Sequence, residues 1–223
     1  TLVLEHGFLA DATQRARAIR LGIPVTIQHP LLYTLASVLL ESWGQERTRE
    51  IMPVRAWLEE GASLSAGTDH PVSSFNPLLS LWGMVTRGTL KAGIQGSEYA
   101  IDQYTAVHLY TLAGAQLNGE SHRRGTLEPR RLADLVAFRS NPITCPIDDL
   151  PSLRPVFTMV GGRAVGRAYL AESPQRRYSC SRFSFIQAAS ASSSACKALS
   201  RVAYTMRPSH IIPPLSRARM KER

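Results

Sequence analysis

Ser63-Leu64-Ser65-Ala66-Gly67-Thr68-Asp69-His70-Pro71 is the stretch whose reading decides the fold. It reads as a short buried strand that stops at an acidic residue. Side chains alternate along a strand, so Ser63, Ser65, Gly67 and Asp69 fall on one face and Leu64, Ala66 and Thr68 on the other. A face of serines and glycine builds no apolar layer, but it suits the crowded interior of a closed barrel. Asp69 then stands at the carboxyl end of the strand, the end at which (β/α) barrels carry their chemistry. Pro71 has no N–H for a ladder and ends the strand.

Upstream, two more segments share that design. Leu2-Val3-Leu4-Glu5-His6 reads as a strand with Leu2, Leu4 and His6 on one face. Pro24-Val25-Thr26-Ile27-Gln28 reads as another, closed by His29-Pro30. Asp11 or Thr13 can cap a helix running to about Leu21, and Gly22 suits its left-handed end. Leu31 to Leu40 and Arg47 to Glu60 read as helical, with a break at Trp43-Gly44. The order β-α-β-α-β calls for a parallel sheet. Downstream, Asn76 can cap a helix through Arg87 that Gly88 ends. The longest helical pattern runs from Ile101 to Leu117.

The texture then changes. Ala133 to Phe138 and Pro155 to Val160 are β-rich, and Gly161-Gly162 forms a hairpin turn before Arg163-Ala164-Val165. These strands form a small separate sheet. The expected organisation is a partial (β/α) barrel over 1–120, a β-sandwich-like return segment over 121–167 and a basic, low-complexity, disordered tail over 168–223.

Charge supports that division. The 223 residues hold 26 Lys+Arg against 17 Asp+Glu, a net +9. Residues 1–166 balance at 15 against 15, so the whole excess lies beyond them, at 11 against 2. Three cysteines (Cys145, Cys180, Cys196) at irregular spacing form neither a disulfide framework nor a zinc knuckle, which points to a reducing, cytoplasmic setting. No apolar run is long enough to span a bilayer, and the start shows no signal-peptide pattern. Opening at Thr1 inside an apparent strand, the chain reads as a piece of something longer.

His6 and Asp69 are the leading site candidates, each at the carboxyl end of a strand. Imidazole and carboxylate are the usual ligands of zinc and similar divalent ions. The competing structural reading is a hydrogen-bonded core histidine and a capping aspartate. His29 could face the same mouth as a substrate contact, against the blander reading of a packed histidine beside Pro30. Tyr33 and Trp43 could line the substrate side or simply pack. His70 points away from Asp69, His108 lies in mid-helix, and Cys145 has no histidine near it in sequence.

Leu4-Glu5-His6, Ser65 to Val72 and Asn76-Pro77-Leu78-Leu79 to Val85-Thr86-Arg87 resemble the amidohydrolase superfamily. Within it, they are most similar to the amidohydrolase 3 branch that contains N-substituted formamide deformylases. Arg124 to Pro129, Ala133 to Val136 and Met159 to Arg163 resemble that family's return to its β-sandwich. The resemblance covers roughly residues 1–167. It implies an α/β fold: the C-terminal part of a metal-dependent-hydrolase (β/α)8 TIM barrel, equivalent to strands 6 to 8. It also implies a divalent metal, zinc first, with His6 and Asp69 as ligands and Asp69 as general base. The substrate implied is a small amide or N-formyl compound. The family's His-x-His pair, its bridging or acidic residue and its fifth-strand histidine would lie upstream of Thr1. Arg130-Arg131 stand where the family usually has Gly or Lys.

Three functions compete. One is a metal-dependent hydrolase of non-peptide C–N bonds. The second is an inactive remnant, since three strands cannot close an eight-stranded barrel and leave edges exposed. The third is a binder of nucleic acid or acidic surfaces through the basic tail; without aromatic interleaving or a reading helix it ranks last, and no specific nucleic-acid or membrane partner is expected. A homo-oligomer is compatible with any of the three.

Overall fold

The computed structural model describes residues 2–166 and the backbone of 184–187. Expectations for the rest of 168–223 lie outside the described residues. The elements, in order, are α1 (Ala12–Arg20), β1 (Val25–Ile27), α2 (Pro30–Arg49), α3 (Val54–Glu59), β2 (Leu64–Ala66), α4 (Pro77–Thr86), α5 (Gln103–Tyr110), α6 (Leu112–Leu117), β3 (Leu135–Phe138), β4 (Pro155–Val160), β5 (Arg163–Gly166) and β6 (Ser184–Gln187).

β1 and β2 pair in parallel, with Val25 opposite Leu64, Thr26 opposite Ser65 and Ile27 opposite Ala66. The expected strand Leu2–His6 contracts to one parallel bridge, Leu4 to Val25. Its ladder bonds run from the Leu4 N–H to the Pro24 carbonyl and from the Thr26 N–H to the Leu4 carbonyl. Three parallel segments thus lie in the order Leu4, β1, β2. Val25 and Ile27 are completely buried, while Leu2 and Leu4 at the outer edge are exposed.

The helix starts agree with their sequence signals. Asp11 forms a capping box with Gln14, and Gly22 comes just after the end of α1 at φ 65°. The Asn76 side chain accepts from the Leu78 N–H, Pro77 takes the first turn, and Arg87 ends α4 in a left-handed conformation. The break expected at Trp43-Gly44 is a kink inside α2, at Gly44 (φ 76°, ψ 173°). The single helix expected over 101–117 is two, broken at Thr111 (φ −121°, ψ −90°). There the Thr111 hydroxyl donates back to the Val107 carbonyl at 2.8 Å, a local bond that competes with continuing the helix.

The later strands form an antiparallel sheet in the order β5-β4-β3-β6. Gly161 and Gly162 both have positive φ, as a tight two-residue hairpin turn requires. β6, within the stretch read as tail, pairs with β3 along the edge opposite β4. A short 3-10 helix, Ile147–Ser152, precedes β4. It joins the two parts of the chain: Asn76 Nδ2 donates to the Pro151 carbonyl, and Leu150 and Phe138 share one core with Val25, Leu64, Leu81 and Leu109. No helix among the described residues is long and apolar enough to cross a membrane.

Candidate functional site

His6 follows the bridge at Leu4 and Asp69 follows β2, both in the parallel sheet, and each has a left-handed backbone, φ 69° and φ 57°. The Gly7 N–H donates to the Glu5 carbonyl at 2.9 Å, which closes a three-residue turn centred on His6. Such a conformation is uncommon for a side chain with a Cβ, although Asp and His adopt it more readily than most. Gly7 permits the turn. At φ 49° it lies flat on β1, and a Cβ there would stand 2.8 Å from Val25 Cγ1 and 3.1 Å from Trp57 Nε1. The turn also removes strand parity as a guide. β2 ends at Ala66, so Asp69 owes its direction to its own turn, in which the Ser73 N–H donates to the Asp69 carbonyl. Ser63, expected on the interior face, is exposed, whereas Ser65 is buried.

Around His6 the structure builds a polar network. Thr26 and Gln28 alternate with buried Val25 and Ile27, so both project to the face opposite that core. His6 Nδ1 lies 2.8 Å from Gln28 Oε1. Gln28 Nε2 donates to Glu5 Oε2 at 3.1 Å and to Thr26 Oγ1 at 2.9 Å. The Thr26 hydroxyl donates to Glu5 Oε2. The sequence reading missed Glu5, Thr26 and Gln28, although the i, i+2 spacing of the last two, beside a histidine-bearing segment, is a visible signal.

The Asp69 carboxylate has no hydrogen-bond or ion-pair partner among the described residues. The end of its strand is held from elsewhere: the Tyr110 hydroxyl donates to the Gly67 carbonyl at 2.6 Å. Burial pushes the Tyr110 phenol well above its ordinary pKa, so it remains a donor. No group of three or more His, Cys, Asp or Glu among the described residues is arranged to hold a metal ion.

The other candidates fall elsewhere. His29 is wholly enclosed, and both ring nitrogens lack a hydrogen-bond partner among the described residues. Its ring lies so close to α4 that a Cβ on Gly83 would stand 2.4 Å from His29 Nδ1. Burial first, and the Arg87 charge second, hold its pKa well below the ordinary imidazole value, so it stays neutral. As placed, it offers substrate no surface. His70 is exposed beside Phe75, with ring centroids 5.9 Å apart. His108 is half-buried on α5, and burial lowers its pKa. Tyr33 packs edge-on against Trp82, and Trp43 against Phe8. The Cys145 thiol is buried, and its pKa is raised by desolvation and then by Asp149.

Arg87, which the sequence marks only as the end of α4, is buried. It is completely enclosed and makes no ion pair among the described residues; its guanidinium donates to the carbonyls of Arg49, Ile51, Met52, Gln95 and Gly96. Burial lowers its pKa to about 10, so it remains a cation at neutral pH. It binds the turn after α2 to the loop before α5. A cleft of about 440 Å³ between the start of α1 and that turn is lined by Asp11, Arg15, Arg47, Glu50 and Tyr99. It contains neither His6 nor Asp69.

Residues 2–165 match the model of the amidohydrolase family. An N-substituted formamide deformylase from Arthrobacter pascens is 28% identical over 162 residues, covering 72% of this chain and 30% of the relative. A 5-methylthioadenosine/S-adenosylhomocysteine deaminase from Teredinibacter turnerae is 30% identical over 113 residues, covering 50% of this chain and 25% of that protein. The chain therefore spans about a third or less of the length of these relatives. Among solved structures, an amidohydrolase from Thermotoga maritima superposes with a TM-score of 0.54 at 20% identity, covering 75% of this chain and 37% of that one. An uncharacterized metal-dependent hydrolase from Pyrococcus horikoshii superposes with a TM-score of 0.53 at 22% identity, over 66% and 30% of the two chains. The match over 164 consecutive residues, in a fold shared with these structures, places the chain in the amidohydrolase family.

Proposed function

We propose that this chain carries the carboxyl-terminal part of the active site of a metal-dependent hydrolase acting on non-peptide C–N bonds, with small amides or N-formyl compounds as substrates. The observation that carries the reading is the pair His6 and Asp69, each held in a left-handed turn that follows a parallel segment within a few residues. Uncommon backbone conformations persist where surrounding structure enforces them, and they concentrate at functional sites. The family match and the deformylase relative supply the reaction class. Exposed Leu2 and Leu4 on the outer edge of the sheet support the reading of 1–120 as strands 6 to 8 of a (β/α)8 barrel whose other strands would cover that edge. Residues 121–167 then form its β-sandwich-like return segment.

The donor chemistry fits a divalent ion. His6 has Nδ1 engaged with Gln28, which leaves Nε2 available, and the Asp69 carboxylate is unpartnered among the described residues. Two donors fall short of the three protein ligands a catalytic zinc usually has, so the remaining ligands come from outside the described residues. When bound, the ion supplies Lewis acidity toward the substrate carbonyl and toward water. His6 and Asp69 fix its place. The Asp69 carboxylate accepts the proton of the attacking water and passes it to the departing amine. The Tyr110 bond to Gly67 keeps the end of β2, and with it Asp69, in position.

The test is the purified chain with zinc, manganese or cobalt, assayed against simple N-formyl and amide substrates. The same assay is run on a complete barrel of this protein carrying His6→Ala or Asp69→Ala. We expect no enzyme-like turnover from the 223-residue chain alone and metal-dependent turnover from the complete barrel that either substitution abolishes. Near-normal activity of both variants would end the assignment.

A further inference from the structure

We propose that Gln28 is a positioning residue that holds His6 in its Nδ1–H tautomer and so presents the bare Nε2 to a divalent cation. This rests on the reading of His6 as a ligand. Three acceptor assignments fix the protons. Glu5 Oε2 accepts from both Thr26 and Gln28, so the group facing it from Gln28 is the donor, the amide NH2. The Thr26 hydroxyl has one proton and spends it on Glu5, so toward Gln28 it can only accept, which again requires the NH2. Both contacts set the amide in one orientation and turn Oε1 toward His6. An amide oxygen is an acceptor, so the proton in the 2.8 Å contact belongs to His6 Nδ1. A neutral imidazole carries one ring proton, and Nε2 is left with its lone pair.

The arrangement works against the preference of a free imidazole, which in water favours the Nε2–H form. It is also mechanically fixed. Gly7 lies against Val25, Ile27 and Trp57, so the backbone of the His6 turn cannot shift toward β1. Thr26 is 8% exposed and Gln28 8%, so water competes little for the amide. Metal-binding histidines generally donate their second ring nitrogen to such a partner, and loss of the partner weakens metal affinity about 10–100-fold. Glu5 enters one step further out: it orients the amide that orients the ring.

The experiment is long-range proton–nitrogen NMR on the 223-residue chain with 15N-labelled histidine, at a pH where imidazole is neutral, with His6 assigned by its loss in His6→Gln. We expect a protonated Nδ1 and a bare Nε2 at His6. Gln28→Leu should shift the population toward Nε2–H and weaken zinc binding at His6 about 10–100-fold. Thr26→Val, which removes one of the two contacts on the amide and preserves the strand, should shift it part of the way. A wild-type His6 that is mainly Nε2–H overturns the proposal without any variant, so poor folding of Gln28→Leu does not shield it. Zinc chloride titrated into the wild-type sample separates the two readings. Movement of the His6 Nε2 resonance with Nδ1–H retained supports both. At zinc concentrations high enough to populate a two-ligand site, an Nδ1–H tautomer whose nitrogens do not respond overturns the ligand reading, and the positioning role with it.

Discussion

His6 and His29 come at the ends of neighbouring parallel segments of one small sheet, and their surroundings differ in every respect. His6 is partly exposed, sits in a left-handed turn and has a hydrogen-bond partner in Gln28. His29 is fully enclosed, caps the start of α2 with ordinary helical dihedrals, and has no partner for either nitrogen among the described residues. The next residue in the chain makes the difference. After His6 comes Gly7, which lets the chain lie flat on β1 and hook away. After His29 comes Pro30 at the first position of α2, which commits the backbone to a helix and carries the ring inward onto α4. A strand-ending histidine is therefore not enough to mark a site. The turn that holds it decides whether the imidazole meets solvent or core.

The strongest way to break this contrast is to disturb the packing around His29. A Cβ on Gly83 would overlap the His29 ring, and overpacking of this kind costs about 1–3 kcal/mol. We expect Gly83→Ala to lower stability by about 2 kcal/mol in denaturant unfolding. His29→Ala in the same chain should recover much of that loss, so the pair couples strongly in a double-mutant cycle. Additive effects would show that the ring is not fixed against α4. Neither change should alter the tautomer of His6.

The second effect is on pH. His29 titrates at an ordinary value of about 6.5 when unfolded and well below that when folded. As pH falls through 6.5 the unfolded chain takes up a proton that the folded chain refuses. The stability is complete above that point and is lost as acid is added, at up to about 1.4 kcal/mol per pH unit for one proton. Comparing urea midpoints at pH 7.5 and 5.5, we expect wild type to lose about 1 kcal/mol more than His29→Leu. The difference between the two proteins isolates His29 from His108, whose pKa burial also lowers. Equal losses would mean that His29 is accessible to protons in the native state.

Much of the frame around these two histidines is legible in the sequence because it depends on local chemistry. Asp11 with Gln14, Asn76 with Pro77, Gly44 and Gly161-Gly162 act within a few residues of themselves, and the structure places a cap, a helix start, a kink and a hairpin where they stand. The features that escape the sequence are set by contacts between distant segments. Arg87 reads as a helix terminus, yet its function in the fold depends on carbonyls about 35 residues away. The break at Thr111 uses a side chain that a helical pattern tolerates. The strand at Ser184–Gln187 needs the free edge of β3, although Phe183, Phe185 and Ile186 are strand-forming residues in an otherwise polar stretch. The proposed site residues His6 and Asp69 can be named from the sequence, but alternation is the wrong reason for the position of Asp69. Its turn begins after the ladder has ended.

The smallest expected effect tests whether the structure at Asp69 serves folding or chemistry. A left-handed conformation costs an ordinary L-residue roughly 1–2 kcal/mol and glycine nothing. Asp69→Gly removes that cost but increases the freedom of the unfolded chain, worth about 0.4–1 kcal/mol in the opposite direction. The side chain has no partner among the described residues whose loss would enter the balance. We therefore expect Asp69→Gly to leave stability unchanged or raise it by up to about 1 kcal/mol, while removing one proposed metal ligand. The same substitution at an ordinary helical position such as Ala106, buried in α5, should destabilise by roughly 1 kcal/mol, because glycine is a poor helix former. Thermal unfolding of the two variants beside wild type gives opposite signs if Asp69 is held in its turn at a net cost to the fold. A loss of more than about 1 kcal/mol at Asp69→Gly would instead show that its carboxylate supports the fold, and would remove the backbone argument for its place in the site.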